Sequence, residues 1–261
     1  MKEHKFVDVN EISMIYHTIS GETKALDQLS FDVKKGEIVS IVGPSGCGKS
    51  TILSIIAGLL KPTSGEVFID NKEVDGTNKK VGYMFQSDHL FPWRNIMANV
   101  LIGLEIQKKL SEESIARVSK LLDTYGLGDF KAHYPHQLSG GMRQRVALIR
   151  TLATEPDLLL LDEPFSALDY QSRLAVSDDI AKIIKSEEKT AIMVTHDIAE
   201  AISMSDRVIL LSKRPATTKC IYDIQLTCEG ADEFSPIKCR EAPEFRHYFN
   251  KIWKELDVYV K

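Results

Sequence analysis

KGEIVSIVGPSGCGKSTILSIIAGLL, residues 35–60, passes from an apolar run through a glycine-rich bend into a helical pattern. IVSIV (38–42) is short, apolar and β-branched, the composition of a strand buried on both faces. Gly43 to Gly48 break it, STILSIIAGLL (50–60) repeats with helical spacing, and Gly58 and Pro62 mark the helix end. The bend, GPSGCGKS, satisfies G-x-x-x-x-G-K-[ST] at every position: Gly43, Pro44, Ser45, Gly46, Cys47, Gly48, Lys49 and Ser50. Glycines let backbone N–H groups curl around phosphates, a lysine here reaches the β- and γ-phosphates, and the serine hydroxyl ligates Mg²⁺. The plainer reading is a chance match in a glycine-rich turn, and the strand–loop–helix context argues against it.

Working outward, SGEVFIDNKEV (64–74) reads as a strand pair around an Asp-Asn turn, and VGYMFQ (81–86) as a further buried strand. Residues from about 89 to 154 are mostly helical in pattern: NIMANVLIGLEIQ, then SEESIARVSKLLDTYGL, then a helix after Gly140–Gly141. Ser111, followed by Glu112 and Glu113, suits a helix start, although Ser114 stands where a capping box has Glu or Gln. DLLLLDEP (157–164), TAIMVTH (190–196) and DRVILLS (206–212) read as strands separated by helices. Alternation of this kind predicts an α/β fold with a mostly parallel sheet covered on both faces. The expected organisation is one domain over 1–261. Its core spans about 1–88 and 155–230, a helical subdomain is inserted over about 89–154, and the tail, about 231–261, ends in an amphipathic helix.

The 261 residues are 43% hydrophobic and 27% charged with a net charge of −4, an ordinary soluble composition without the basic excess of a nucleic-acid binder. MKEHKFVDVNEISMIYH lacks the apolar core of a signal peptide, and runs such as LLLL (158–161) fall far short of the roughly 18 residues of a membrane span. A soluble, cytoplasmic chain is expected. Cys47, Cys220, Cys228 and Cys239 fit no common zinc spacing and are expected to be thiols.

Two further stretches carry chemistry. LLLLDE (158–163) buries a strand and delivers Asp162 and Glu163 to its end. An acid closing such a strand holds Mg²⁺, and its neighbour can act as general base toward water. QLSGGMRQR (137–145) is a second serine–glycine loop at the foot of a helix, built to hold phosphate through N–H groups but without the usual lysine. Arg143 and Arg145 on that helix read as a solvated basic face.

GPSGCGKST, then Gln86 after a strand, then LSGGMRQRVALIRTLATEPDLLLLDEPFSALD, then VTHD, in that order, resemble the ATPase subunit of an ATP-binding cassette (ABC) transporter. The resemblance runs from about residue 6 to 215 and implies a P-loop NTPase (RecA-like) core with an antiparallel N-terminal β part. It implies that Ser139, Gly140 and Gly141 close over the γ-phosphate of ATP held by a second copy or related chain. It also implies that Gln86 reaches Mg²⁺ and the attacking water and senses the membrane partner, and that His196 contacts the γ-phosphate. Asp169 is implied at the dimer interface, Thr51 at the α-phosphate, and Tyr16 as the ring that stacks on adenine. DHLFPWRNIMANV (88–100) is implied to receive a short helix of a membrane permease, with Phe91, Pro92 and Trp93 divided between core and groove. LFPW, the LSGGM variant and RPATTKCIYDIQL (214–226) are similar to the subfamily importing nitrate, sulfonates, taurine and thiamine-precursor pyrimidines. Only 65 residues follow His196, which fits a minimal importer ATPase. The expected setting is the cytoplasmic face of the membrane, with an extracytoplasmic solute-binding protein in the full system. A non-transport cassette ATPase, as in iron–sulfur assembly, and an exporter subunit are the alternatives.

Overall fold

The structure, a computed structural model, describes residues 5–19, 21–228 and 235–256. Its first elements are β1 (Lys5–Thr18), β2 (Gly21–Lys34), β3 (Ile38–Val42), α1 (Lys49–Ile56), β4 (Ser64–Ile69), β5 (Lys72–Glu73) and β6 (Val81–Met84). There follow α2 (Ile96–Ile106), α3 (Glu112–Thr124), α4 (Gly140–Leu152), β7 (Leu158–Asp162) and α5 (Tyr170–Ser186). The chain continues as β8 (Thr190–Thr195), α6 (Ile198–Met204), β9 (Arg207–Leu211), β10 (Thr218–Asp223), α7 (Pro236–Cys239) and α8 (Phe245–Glu255). These elements form two compact units, one of residues 1–78 with 181–261 and one of residues 79–180.

In the first unit an antiparallel sheet runs in the order β2-β1-β4-β5. Asp70 and Asn71 both take positive φ between β4 and β5, the hairpin turn read from the sequence. A second group of strands lies in the order β10-β9-β3-β8, with β3 parallel to both β8 and β9. Every residue of β3 and β8 is buried, as continuous apolar runs in a parallel sheet require. Helix α1 ends as predicted at Gly58, whose φ of +71° suits the left-handed residue past a helix end; a Cβ there would lie 2.0 Å from the Gly76 carbonyl. Helix α8 lays Phe245, Phe249 and Ile252 against Ile198, Ala201 and Ile202 of α6. The tail residues 231–234 and 257–261 lie outside the described residues.

The four cysteines are not all thiols. Cys228, past β10, and Cys239, at the end of α7, are joined as a disulfide. Their Cα atoms are 4.9 Å apart, within the span such a bond bridges, a proximity that sequence spacing does not show. Cys47 and Cys220 are free.

The second unit pairs β6 with β7 in parallel and packs α2, α3 and α4 around a core that includes Val100, Leu104, Val118, Leu122, Val146 and Ile149. β6 alternates half-buried and buried residues, unlike the fully buried strand expected, because among the described residues it pairs with β7 alone and lies at a sheet edge, where Val81 and Tyr83 keep part of their surface open. At the start of α3, Ser111 and Ser114 do form a reciprocal capping box: Ser114 Oγ accepts the Ser111 N–H at 2.8 Å and Ser111 Oγ accepts the Ser114 N–H at 3.1 Å. A serine hydroxyl thus does what Glu or Gln usually does. Among the described residues no helix is long and apolar enough to cross a membrane.

Leu122, with no exposed surface, lies at the meeting of α3 with α4 and the following turn. Leu122→Ala is expected to destabilise this unit by about 2–5 kcal/mol through lost transfer energy and a residual cavity. Urea unfolding followed by circular dichroism measures it, and an unchanged midpoint would count against this core.

Candidate nucleotide site

The strand–loop–helix of the first unit is shaped around backbone. Gly46 (φ +72°) and Gly48 (φ +118°) occupy the left-handed region, and a Cβ on Gly48 would come within 2.8 Å of Leu26 Cδ2. Lys49 is only 6% exposed, and its ammonium donates to the carbonyls of Gly43 (2.9 Å) and Pro44 (3.2 Å), closing the loop on itself. Helix α1 opens with no acidic residue in its first turn and no side-chain cap. Its first N–H groups and dipole, with Lys49 beside them, form a donor set suited to a polyphosphate. The hydroxyls of Tyr16 and Thr51 are hydrogen-bonded at 3.1 Å, which holds the Tyr16 ring beside the start of α1. β3 and β8 run in register with Val42 opposite Thr195, so Gly43 and His196 follow at neighbouring strand ends. His196 is exposed there, and Asp197 next to it caps α6 by accepting the N–H groups of Ala199 and Glu200.

The second unit repeats the device. β6 and β7 run with Met84 opposite Leu161, so Gln86 and the Asp162–Glu163 pair emerge together at their C-terminal ends. Asp162 is buried, and the Tyr83 hydroxyl donates to its Oδ2 at 3.1 Å. Glu163 takes φ 44°, a left-handed conformation that costs a non-glycine residue about 1–3 kcal/mol and clusters at functional positions. The Gln86 side-chain amide donates to Ser166 Oγ (3.2 Å), which donates to the Glu163 carbonyl (3.0 Å). Gln86 and Glu163, predicted separately, are therefore linked through Ser166. The hydroxyl of Ser50, the amide oxygen of Gln86 and the carboxylate of Asp162 are hard oxygen donors of the type that suits Mg²⁺.

Ser139 caps α4, its hydroxyl accepting the Met142 N–H at 3.3 Å. A Cβ on Gly140 would meet Leu168 Cδ2 at 3.0 Å and one on Gly141 would meet Val176 Cγ2 at 2.6 Å, so this backbone runs close to α5 and the turn before it. The first turn of α4 carries no acid, leaving an exposed helix start compatible with an anion. Exposed Asp169 accepts the Ser172 N–H at 3.0 Å, and its hydrogen bonds to Ser172 hold its carboxyl below the ordinary aspartate range.

Arg143 and Arg145 are not the solvated face expected of them. Arg143 Nε pairs with Asp88 at 3.0 Å and its NH1 donates to the Leu138 carbonyl at 2.7 Å. Arg145 reaches the Tyr125 carbonyl (3.3 Å) and Asp179 (3.5 Å). Two residues of α4 thus turn inward onto elements far away in sequence. Arg150, one helix turn or two further on, donates to the carbonyls of Asp88 (2.6 Å) and His89 (2.8 Å); burial pulls its guanidinium below the usual value and Asp88 pulls it back. The stretch after Gln86 divides as its composition suggested. Leu90 is buried, Phe91 is half-buried against Trp93 at 5.1 Å between ring centres, and Trp93 is 71% exposed. Buried Asn99 holds this turn, its amide nitrogen donating to the carbonyls of Phe91, Arg94 and Asn95 and its oxygen accepting the Phe91 N–H.

Tyr83, Asp88, Arg150 and Ser166 are the residues that motif reading passed over. Ser166 alone had a local signal, being a turn residue three positions after Glu163.

A phosphate-shaped loop with a buried lysine in the first unit and an acidic strand end in the second are the two elements that define a P-loop NTPase. Residues 26–166 match the ABC transporter family. An uncharacterized ABC transporter ATP-binding protein of Bacillus subtilis, YtlC, is 47% identical over 256 residues, covering 98% of this chain and 97% of its own. The taurine import ATP-binding protein TauB of a Jannaschia species is 41% identical over 225 residues, 86% of this chain and 84% of its own. The dimeric post-hydrolysis structure of the ATP-binding cassette MJ0796, bound to ADP and Pi, superposes with a TM-score of 0.72 at 33% identity, covering 84% of this chain and 99% of that one. The chain belongs to the ABC transporter family, as an ATP-binding subunit whose ATPase activity is coupled to transport.

Cys47, in the phosphate loop, is 1% exposed; burial pushes its thiol up, outweighing the opposing pull of Lys49. A raised pKa leaves less thiolate at pH 8 than an ordinary cysteine has, and thiolate is the reactive form. Cys47 is therefore expected to resist iodoacetamide in the native protein and to label in urea, read by peptide mass spectrometry. Rapid native labelling would contradict this packing.

Proposed function

We propose that the chain is the ATP-hydrolysing subunit of an importer for a small solute of the taurine, sulfonate, nitrate or pyrimidine-precursor type. It works as an ATP-closed pair of copies on permease subunits at the cytoplasmic face of a membrane, in a system fed by an extracytoplasmic solute-binding protein. The observation that carries the import reading is the identity of 41% over 86% of the chain to a protein named for taurine import. The pairing rests on the chain's composition: one lysine-bearing phosphate loop and one Ser139–Gly141 loop, which complete two sites only when two chains exchange them. The MJ0796 cassette, dimeric with ADP and Pi, supports it.

Within each site the roles follow the chemistry of the residues. Tyr16 stacks on adenine, and Thr51 and the N–H groups of Gly43–Ser50 take the phosphates, with Pro44, Ser45 and Cys47 supplying backbone. Lys49 balances charge on the β- and γ-phosphates. Ser50, Gln86 and Asp162 hold Mg²⁺, which when bound offsets negative charge on the phosphate oxygens. Glu163 accepts a proton from water as the water oxygen bonds to the γ-phosphorus and the bond to the ADP oxygen breaks. His196 donates to the γ-phosphate, and Ser139, Gly140 and Gly141 reach the same phosphate from the second copy, with Asp169 at the junction. Exposed Trp93 and Phe85 (44% exposed) supply the aromatic lining for a permease helix. The tail, about 231–261, and the helical subdomain, about 89–154, complete the domain division adopted in this reading.

Glu163→Gln removes the base but keeps the shape, so it is expected to trap an ATP-bound dimer. Gel filtration with ATP and Mg²⁺ that shows only monomer would refute the closed pair. Tagged Glu163→Gln protein drawn from detergent-solubilised native membranes with ATP is expected to carry a multi-span permease, identified by mass spectrometry. Recovery of soluble assembly factors alone would refute the transport assignment.

A further inference from the structure

The Gln86 loop and the Ser139 loop are separated by about fifty residues in sequence, yet one side chain spans them. Arg143 lies in the first turns of α4, which Ser139 caps. Its NH1 holds the carbonyl of Leu138, immediately before Ser139, at 2.7 Å, and its Nε holds Asp88, two residues past Gln86, at 3.0 Å. A guanidinium offers several donors in one rigid plane, so the two partners are fixed relative to each other as well as to the arginine. Asp88 is itself anchored. Its Oδ1 accepts the Leu90 N–H at 3.1 Å, and its carbonyl and that of His89 accept from Arg150, seven residues further along the same helix. His89 takes φ 44°, a conformation that a non-glycine residue keeps only where its surroundings hold it. From Asp88 the backbone leads to Gln86, whose amide reaches Ser166 and through it the Glu163 carbonyl.

We propose that Arg143 is a positioning residue that couples the Ser139–Gly141 loop to Gln86, so that engagement of ATP at the first loop sets the second in place for hydrolysis. The inference rests on the reading above, in which Ser139–Gly141 meets the nucleotide of a second copy. In it the α4 helix, the Asp88 turn and the Gln86 side chain shift together. Cutting the Arg143–Asp88 pair leaves nucleotide binding and closure intact and slows the chemical step.

The test is a double-mutant cycle in the full chain with Arg143→Gln, Asp88→Asn and the pair combined. Each single change is expected to lower kcat for ATP about tenfold, the scale at which small misplacement of a reacting group is felt, with KM changed less than about twofold. The double change is expected to be no slower than the slower single, since both cut one link. In a Glu163→Gln background, Arg143→Gln is expected to leave the ATP-dependent dimer forming at the same ATP concentration. Wild-type kcat in both singles, or additive losses in the double, would overturn the coupling. Loss of the dimer on Arg143→Gln alone would also overturn it, since Arg143 would then only support the Ser139 loop. Asp88→Asn gives the same reading from the other partner if the arginine variant does not fold. Failure of Glu163→Gln itself to dimerise with ATP, by contrast, points to the closed-pair reading.

Discussion

A buried ammonium group sets the terms for the rest of the molecule. Lys49 sits almost out of solvent, where an unpaired charge is costly, and it is tolerable because two carbonyls of its own loop receive it. Those carbonyls can turn inward only if the loop is tight, and the loop can be tight only with glycine at the left-handed positions 46 and 48. The Pro44 carbonyl also accepts the Cys47 N–H at 3.2 Å, so the loop is closed by its own backbone as well as by the lysine. The strand before it must be fixed for this to hold, and β3 is fully buried between two parallel neighbours.

Parallel register then does the placing. The C-terminal ends of adjacent strands come out on one edge. In the first unit that brings Gly43 and His196 to neighbouring strand ends, and in the second it brings Gln86 beside Asp162 and Glu163. Side chains refine the second set. Tyr83 fixes one oxygen of Asp162, and Ser166 joins the Gln86 amide to the Glu163 backbone. The strained φ of Glu163 is sustained at the end of a strand whose five residues are all buried.

Much of this was legible in the sequence because it is local. A glycine spacing, a run of leucines before two acids, and β-branched runs between turns each carry their meaning within about ten residues. The features that were not legible are contacts between distant segments. Nothing near Arg143 signals Asp88, fifty-five residues earlier, so an arginine on a helix reads as solvated. The pairing of Cys228 with Cys239 depends on how α7 turns back toward the end of β10. The Ser111–Ser114 cap was missed in part because the usual rule names larger side chains, although a short hydroxyl reaches the same N–H.

The stretch from Gln86 to Asn95 shows why such contacts matter to function. A surface segment with exposed aromatic residues would ordinarily be mobile. This one is held at both ends: half-buried Arg143 and Arg150 take Asp88 and His89, and buried Asn99 takes Phe91, Arg94 and Asn95. The charge-assisted hydrogen bonds at the arginine end contribute about 1.5–3 kcal/mol each and the neutral amide bonds of Asn99 about 0.5–1.5 kcal/mol each, so releasing either end is costly. Trp93 is thereby presented on a stiff mount whose other end is Gln86. In the proposed reading, a permease helix seated on these aromatic residues would meet a held turn that leads to the glutamine rather than a free loop. A flexible loop could bind a partner equally well but could not report its position.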